Sequence, residues 1–84
     1  MINELYWIAE ELLAYTDLTG NYFDIEKAQT KLWKMQPILA KNDLPTIQKL
    51  YDELIELLEV PMFFDKPIFS KKVDELYGLL EKMK

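Results

Sequence analysis

Apolar residues recur at spacings of three and four along almost the entire chain, which is the period of an amphipathic α-helix. No segment alternates polar and apolar residues, as a half-buried β-strand would. Only two glycines and four prolines interrupt the 84 residues. Because the chain is too short for a second domain, we expect one all-α domain spanning residues 1–84.

Four helices are predicted from these apolar stripes and from the residues that flank them. The first runs from about Ile2 to Tyr15, and the second is N-capped by Asp24. Pro37 lies within the second stripe, which stays in phase as far as Leu39, so we expect one kinked helix rather than two. The predicted core positions of these two helices are Ile2, Leu5, Tyr6, Ala9, Leu12, Leu13, Ile25, Ala28, Leu32, Met35 and Leu39.

The third helix is expected to begin at a cap formed by Asn42 and Asp43, with Pro45 in its first turn, where a missing N–H costs no hydrogen bond. The fourth helix is capped by Asp65 or Ser70. The predicted core positions of this pair are Ile47, Leu50, Tyr51, Leu54, Leu57, Leu58, Phe69, Val73, Leu76, Leu80 and Met83. Short connections favour antiparallel neighbours, so the expected architecture is an antiparallel up-and-down four-helix bundle.

Three residue types are missing from the chain, and their absence excludes whole classes of catalysis. There is no His, Cys or Arg, and all ten cations are lysines. Ser-His-Asp and Cys-His triads and the usual zinc ligand sets are therefore impossible. Glu53-x-x-Glu56 is similar to half of the magnesium site of all-α nucleotide pyrophosphohydrolases, but no Glu-x-x-Asp follows on a later helix. We expect no catalytic residues, no metal and no cofactor.

Charge and hydropathy limit the partners and the location. The formal net charge is −5, so binding of nucleic acid would act against net repulsion and without any guanidinium group. No apolar run approaches the ~18 residues of a membrane span, and the first residues lack the positive start of a signal peptide. We expect a cytoplasmic protein that binds no nucleic acid and does not insert directly into a membrane.

Two tryptophans outside the apolar stripes are candidates for a binding surface. Trp7 lies nearly opposite the stripe of the first helix, and Trp33 lies well to the side of the second. Large rigid aromatic side chains dominate binding hot spots. The alternative is that each tryptophan covers a neighbouring helix at the edge of the bundle.

The connection between the third and fourth helices is apolar, although turns are normally polar. Met62, Phe63 and Phe64 place three large side chains there. They either plug the end of the bundle or form a binding loop. The first connection carries a similar set, namely Leu18, Tyr22 and Phe23.

Charges of opposite sign flank that connection. Asp52, Glu56 and Glu59 line one outer face of the third helix, and the macrodipole disfavours anions in its final turns by about 0.3–1 kcal/mol each. The fourth helix begins with a lysine cluster, namely Lys66, Lys71 and Lys72. We expect the two groups to pair across the hairpin, and the alternative is an acidic ridge that a basic partner binds.

Complementary charges also occur on the first two helices. The second helix carries a basic stripe made of Lys27, Lys31, Lys34 and Lys41. We expect this stripe to face acidic residues of the first helix, namely Glu4, Glu10 and Glu11.

Two segments in the second half of the chain resemble a known family. Residues 44–51 (LPTIQKLY) and 66–76 (KPIFSKKVDEL) are similar in layout to small bacteriocin immunity proteins of the enterocin A type. The resemblance implies a cytoplasmic antiparallel four-helix bundle from a Gram-positive bacterium. It also implies that the protein protects the producing cell by recognising a bacteriocin-engaged membrane receptor, with specificity toward the C-terminal helix.

Small size, the lack of catalytic residues and surplus aromatic surface together indicate a non-enzymatic protein that binds another protein. The main hypothesis is immunity against a bacteriocin or a comparable toxin. One alternative is a phage- or host-encoded inhibitor or adaptor of another protein. The other is a structural homodimer in which Trp7, Trp33 or the loop at Phe63 and Phe64 forms the self-interface.

Overall fold

The structure is a computed structural model that describes residues 2–17 and 24–84. Those residues form α-helical segments and one 3-10 turn, with no strand. In chain order the elements are α1 (Ile2–Asp17), α2 (Ile25–Trp33), α3 (Gln36–Lys41), α4 (Pro45–Leu58), the 3-10 turn (Pro61–Phe63) and α5 (Lys66–Met83). Because α2 and α3 together occupy the second predicted helix, the all-α class and the four helices are confirmed.

The core is built from the predicted apolar stripes. Its buried residues are Leu5, Ala9, Leu12, Ala28, Leu32, Met35, Leu39, Ile47, Leu50, Tyr51, Leu54, Leu58, Phe69, Val73, Leu76 and Leu80. Five further predicted positions are partly buried against them, namely Ile2, Tyr6, Leu13, Ile25 and Leu57. The prediction for Met83 is wrong, because this last residue of α5 is 44% exposed at the rim of a cavity formed with the start of α4.

Two of the three predicted helix N-caps are confirmed. The carboxylate of Asp24 accepts a hydrogen bond from the Lys27 N–H at 3.0 Å, and that of Asp65 accepts one from the Ile68 N–H at 3.2 Å. Ser70 lies inside α5 and does not cap it.

The predicted cap of the third helix is wrong. Leu44 is the N-cap residue of α4, with no side-chain cap, and Pro45 follows it at the start of the helix. The Asn42 amide instead points back to α3, where it donates to the Ile38 carbonyl at 2.7 Å. Because the helix starts at Pro45, its N-cap position is Leu44, and Asp43 and Asn42 lie one and two residues too early to cap it.

Pro37 interrupts the second helix rather than only bending it. The α-helical pattern stops at Trp33 and resumes at Gln36, while Lys34 and Met35 keep right-handed helical dihedral angles. The N–H groups of these two residues donate to carbonyls three residues earlier, at 3.2 and 2.9 Å. Such tightening is expected about one turn before a proline, which cannot donate to the preceding turn.

The helices pack around this core in pairs. Each of α1 and α4 contacts both α2 and α5. Between α1 and α2, Lys31 forms an ion pair with Glu11, which confirms that basic and acidic residues of these helices face each other at that point. One turn away, Lys27 Nζ lies 5.6 Å from the centre of the Tyr15 ring.

A tyrosine pair joins α1 to α5, and it was not predicted. The hydroxyl oxygens of Tyr6 and Tyr77 lie 2.5 Å apart, and the ring centres lie 4.8 Å apart. The hydrogen bond with Tyr77 raises the pKa of Tyr6 to about 12, and partial burial adds to the effect. Lys84 Nζ lies 3.9 Å from the centre of the Tyr6 ring, so the end of the chain is also held against α1.

Candidate functional site

The connection between α4 and α5 forms an ordered apolar tip, which we call the hairpin tip (residues 60–64). It is a 3-10 turn in which the N–H of Phe63 donates to the Val60 carbonyl at 3.0 Å, and that of Phe64 to the Pro61 carbonyl at 3.2 Å. Met62 is 86% exposed and Phe63 is 79% exposed. The tip therefore presents large apolar side chains to solvent from a hydrogen-bonded turn.

Phe64 behaves differently from its neighbour. Its ring packs on that of Phe69 in the core, with centres 5.5 Å apart and planes 58° apart. The plug hypothesis is therefore right for Phe64 and wrong for Met62 and Phe63. Phe64 is the C-cap residue of the turn and has extended dihedral angles, so its side chain leaves the chain in a different direction from those of the turn itself. The other apolar connection, at Leu18, Tyr22 and Phe23, lies outside the described residues.

A cavity of about 420 Å³ lies below the tip, in the outer seam between α4 and α5. Its lining consists of Glu53, Glu56, Leu57, Val60, Phe63 and Lys72. Apolar side chains form the wall next to the tip, and charged side chains form the opposite edge. The cavity could accept an apolar side chain whose neighbours are polar.

One ion pair closes the lower edge of this cavity. Lys72 Nζ donates to Glu53 Oε2 at 2.7 Å, and both side chains are only partly exposed. The ammonium group lowers the pKa of Glu53 below its ordinary value, and the carboxylate raises the pKa of Lys72. The pair connects α4 to α5 across the seam.

The predicted pairing of the acidic ridge with the lysine cluster is largely wrong. Lys72 pairs with Glu53, which lies outside the predicted ridge. The Asp52 carboxylate instead accepts a hydrogen bond from Gln48 Nε2 at 2.9 Å. Glu56 and Glu59 are exposed and form no ion pair with any other residue that the structure describes. The cause is rotation about the helix axis: at 100° per residue, Glu53 faces α5 while Glu59 points away from it.

The two tryptophans are exposed but lie apart from the tip. Trp7 on α1 is 59% exposed, and Trp33 at the end of α2 is 53% exposed. Neither lines the cavity below the tip. Of the predicted site residues, the structure brings only Glu56 and Phe63 together in the wall of this cavity, and it leaves the tryptophans as two separate exposed positions.

A second cavity, of about 200 Å³, lies at the other end of the α4–α5 seam and was not predicted. Its lining consists of Asp43, Leu44, Pro45, Thr46, Ile47, Leu79 and Met83. A repeat of seven in the sequence could have indicated it. Thr46, Glu53 and Val60 are seven residues apart, as are Lys72 and Leu79, and this spacing returns to nearly the same side of a helix.

The hairpin presents apolar and charged side chains. Within residues 2–17 and 24–84 no group of three or more carboxylate, His or Cys side chains is placed to hold a metal ion. No buried side-chain nitrogen or oxygen in those ranges lacks a hydrogen-bond partner. The described helices include none that is long and apolar enough to cross a lipid bilayer. The site offers apolar contacts and fixed charges.

Comparisons with known proteins supply no relative from which a role could be transferred. No protein-family model, curated protein sequence or solved structure matches the chain. The function is therefore argued from the geometry of the hairpin.

Proposed function

We propose that the protein is an antiparallel up-and-down four-helix bundle, without enzymatic activity, that acts in the cytoplasm by binding another protein through the hairpin tip. The proposal excludes binding of nucleic acid and insertion into a membrane. The observation that carries it is the exposure of Met62 and Phe63 on an ordered turn.

Contacts along the helices support the antiparallel arrangement. The contacts between α1 and α2 run in opposite order along the two helices: Glu11 pairs with Lys31, whereas Tyr15, one turn further along α1, contacts Lys27, one turn earlier in α2. The last part of α4 and the first part of α5 line one cavity, whereas the start of α4 and the end of α5 line the other. Both helix pairs thus have the contacts expected when one helix reverses the direction of the other.

The energetics of the tip favour protein binding. Burying a Phe or Met side chain contributes about 1.5–3 kcal/mol, and both residue types are enriched at interfaces. The turn is already hydrogen-bonded, so it loses little conformational entropy when a partner binds. Next to it, exposed Glu56 and Glu59 favour a partner with basic residues beside its apolar site.

Immunity against a bacteriocin or comparable toxin is the biological role that we propose for this binding. The two segments that resemble immunity proteins, 44–51 and 66–76, fall in the two helices that carry the tip. The proposed partner is a membrane receptor engaged by the bacteriocin. An inhibitor or adaptor of another protein would use the same surface and remains the second proposal.

The test is protection of a bacteriocin-sensitive Gram-positive strain that expresses the chain. We expect the wild type to raise survival, and Phe63→Ser to abolish the effect while its melting temperature is unchanged. Trp7→Ser and Trp33→Ser are matched controls, because each removes a similarly exposed aromatic ring away from the tip. Loss of protection in the tryptophan variants alone would move the site to α1 or α2. A wild type that gives no protection would contradict the immunity role.

A further inference from the structure

The tyrosine pair between the first and last helices has no part in the binding proposed at the hairpin tip. The hydroxyl oxygens of Tyr6 on α1 and Tyr77 on α5 lie 2.5 Å apart, the ring centres lie 4.8 Å apart, and the ring planes are inclined by 31°. We propose that this pair is a site of oxidative modification, at which hydrogen peroxide, acting through a haem peroxidase, joins the two rings by a carbon–carbon bond to form dityrosine.

The two rings are oriented for this reaction. One-electron oxidation of a tyrosine leaves an unpaired electron that is shared between the phenolic oxygen and ring carbons that include the two ε carbons. Because the hydroxyl oxygens are closer together than the ring centres, the rings converge at their hydroxyl ends, where the ε carbons lie. Two radicals held in this way couple without having to diffuse together, which favours coupling within one chain over coupling between chains.

Both rings are accessible to an oxidant. Tyr6 and Tyr77 are partly exposed, and they pack against the core rather than within it. Tyr51, by contrast, belongs to the core and is only 6% exposed. Side chains at the edge of the core can rotate by the amount that bond formation requires, because they do not have to displace the close-packed interior.

The reaction balances with one molecule of hydrogen peroxide. Each tyrosine loses one electron and its phenolic proton, and the two radicals form a bond between one ε carbon of each ring. The hydrogen on each bonded ε carbon then moves to the phenolic oxygen as a proton, which restores both aromatic rings and both hydroxyl groups. The peroxide takes up the two electrons and the two protons, its O–O bond breaks, and two molecules of water form.

The new bond closes a long loop of the chain. Tyr6 and Tyr77 are 71 positions apart, and they belong to helices that pack on each other. A covalent link of this span stabilises a fold chiefly by restricting the unfolded chain, as a disulfide does. Oxidation therefore converts a hydrogen-bonded contact into a covalent link between α1 and α5, and we expect the melting temperature to rise by at least ~10 °C.

Treatment of the full chain with hydrogen peroxide and a haem peroxidase tests the proposal. At low micromolar concentration we expect a product that remains a single chain on a denaturing gel, shows the fluorescence of dityrosine and has lost the mass of two hydrogen atoms. Cleavage after lysine should then release residues 1–27 joined to residues 73–82, a segment in which Tyr77 is the only tyrosine.

Variants and a denaturant show whether the folded pair is responsible. Tyr6→Phe and Tyr77→Phe should each abolish the intrachain product, while circular dichroism checks that the variants are folded. Tyr15→Phe is the matched control, because it removes the hydroxyl group of another partly exposed tyrosine on the same helix, and it should leave the yield unchanged. In denaturing urea the wild-type yield should fall at least ~10-fold, because the two rings are no longer held together.

Three results would overturn the proposal. They are a wild-type yield in Tyr6→Phe, an equal yield in urea, and no intrachain product at a peroxide dose that dimerises a short tyrosine peptide under the same conditions. Phe63→Ser, which is expected to abolish protection, should still form the link, so the modification and the binding at the tip can fail separately.

Discussion

Two adjacent phenylalanines at the hairpin tip should respond in opposite ways to the same substitution. Phe63 is 79% exposed, whereas Phe64 packs on the ring of Phe69. Changing either residue to Ala removes the same atoms from neighbouring positions of one turn. The pair therefore separates the contribution of a residue to stability from its contribution to binding.

The magnitudes follow from burial. Replacing a fully buried Phe by Ala costs about 3–5 kcal/mol of unfolding free energy, and Phe64 is partly buried, so we expect about 2 kcal/mol for Phe64→Ala. In a domain of this size that corresponds to a fall of about 8–16 °C in melting temperature. Phe63→Ala should change stability by less than about 0.5 kcal/mol. If the tip contains a binding hot spot, the same change should weaken partner binding about 30-fold.

Thermal unfolding followed by far-ultraviolet circular dichroism measures the first quantity, and protection of a bacteriocin-sensitive strain reports the second. We expect Phe64→Ala to melt early, and Phe63→Ala to melt like the wild type without protecting. Equal destabilisation by the two variants would mean that Phe63 belongs to the core. Full protection by Phe63→Ala would remove the tip from the binding site.

Three further predictions concern stability. The lowered pKa of Glu53 means that its ion pair with Lys72 stabilises the fold above the pKa that Glu53 has in the unfolded chain, and that this stabilisation is lost as the pH falls. Denaturant unfolding from pH 7 to 3 should show the loss of unfolding free energy in the wild type, and a smaller loss in Glu53→Gln. Tyr6 has its pKa raised to about 12, so its neutral form stabilises the fold fully below pH ~10, and that contribution is lost as the pH rises toward 12. Burial also raises the pKa of Tyr51, so absorbance titration near 295 nm should show more than one late-titrating tyrosine. Tyr6→Phe should remove one of them, and an unchanged late-titrating amplitude in the variant would contradict the assignment. Leu54→Ala should cost about 2–5 kcal/mol in chemical denaturation, and a cost below 1 kcal/mol would contradict its burial.

The helices and most of the core could be predicted because they depend on local periodicity. Leu54 and Leu76 lie on stripes of period 3.6, and any arrangement of amphipathic helices buries such stripes. Asp24 and Asp65 cap as predicted, since an N-cap needs only its own helix. The predicted cap at Asn42 and Asp43 failed because the helix starts at Pro45, which makes Leu44 the N-cap residue.

The details of the site depend on tertiary geometry, which local patterns do not specify. The sequence places two phenylalanines in the connection, but only the structure shows that Phe63, within the 3-10 turn, faces solvent and that Phe64, extended just after it, packs on the core. Lys72 pairs with Glu53 rather than with Glu56 or Glu59 because of how α4 and α5 are rotated about their axes. The contact between Tyr6 and Tyr77 joins residues 71 positions apart, which no periodicity links.

Photochemical cross-linking from position 63 tests most directly whether the protein binds another protein through its tip. A photoreactive phenylalanine analogue replaces Phe63 in one variant and the exposed Glu10 in the control, and both are irradiated in cells exposed to the bacteriocin. We predict a discrete adduct with a different protein from position 63 and none from position 10. The same adducts from both positions, or adducts of the chain with itself alone, would contradict the account.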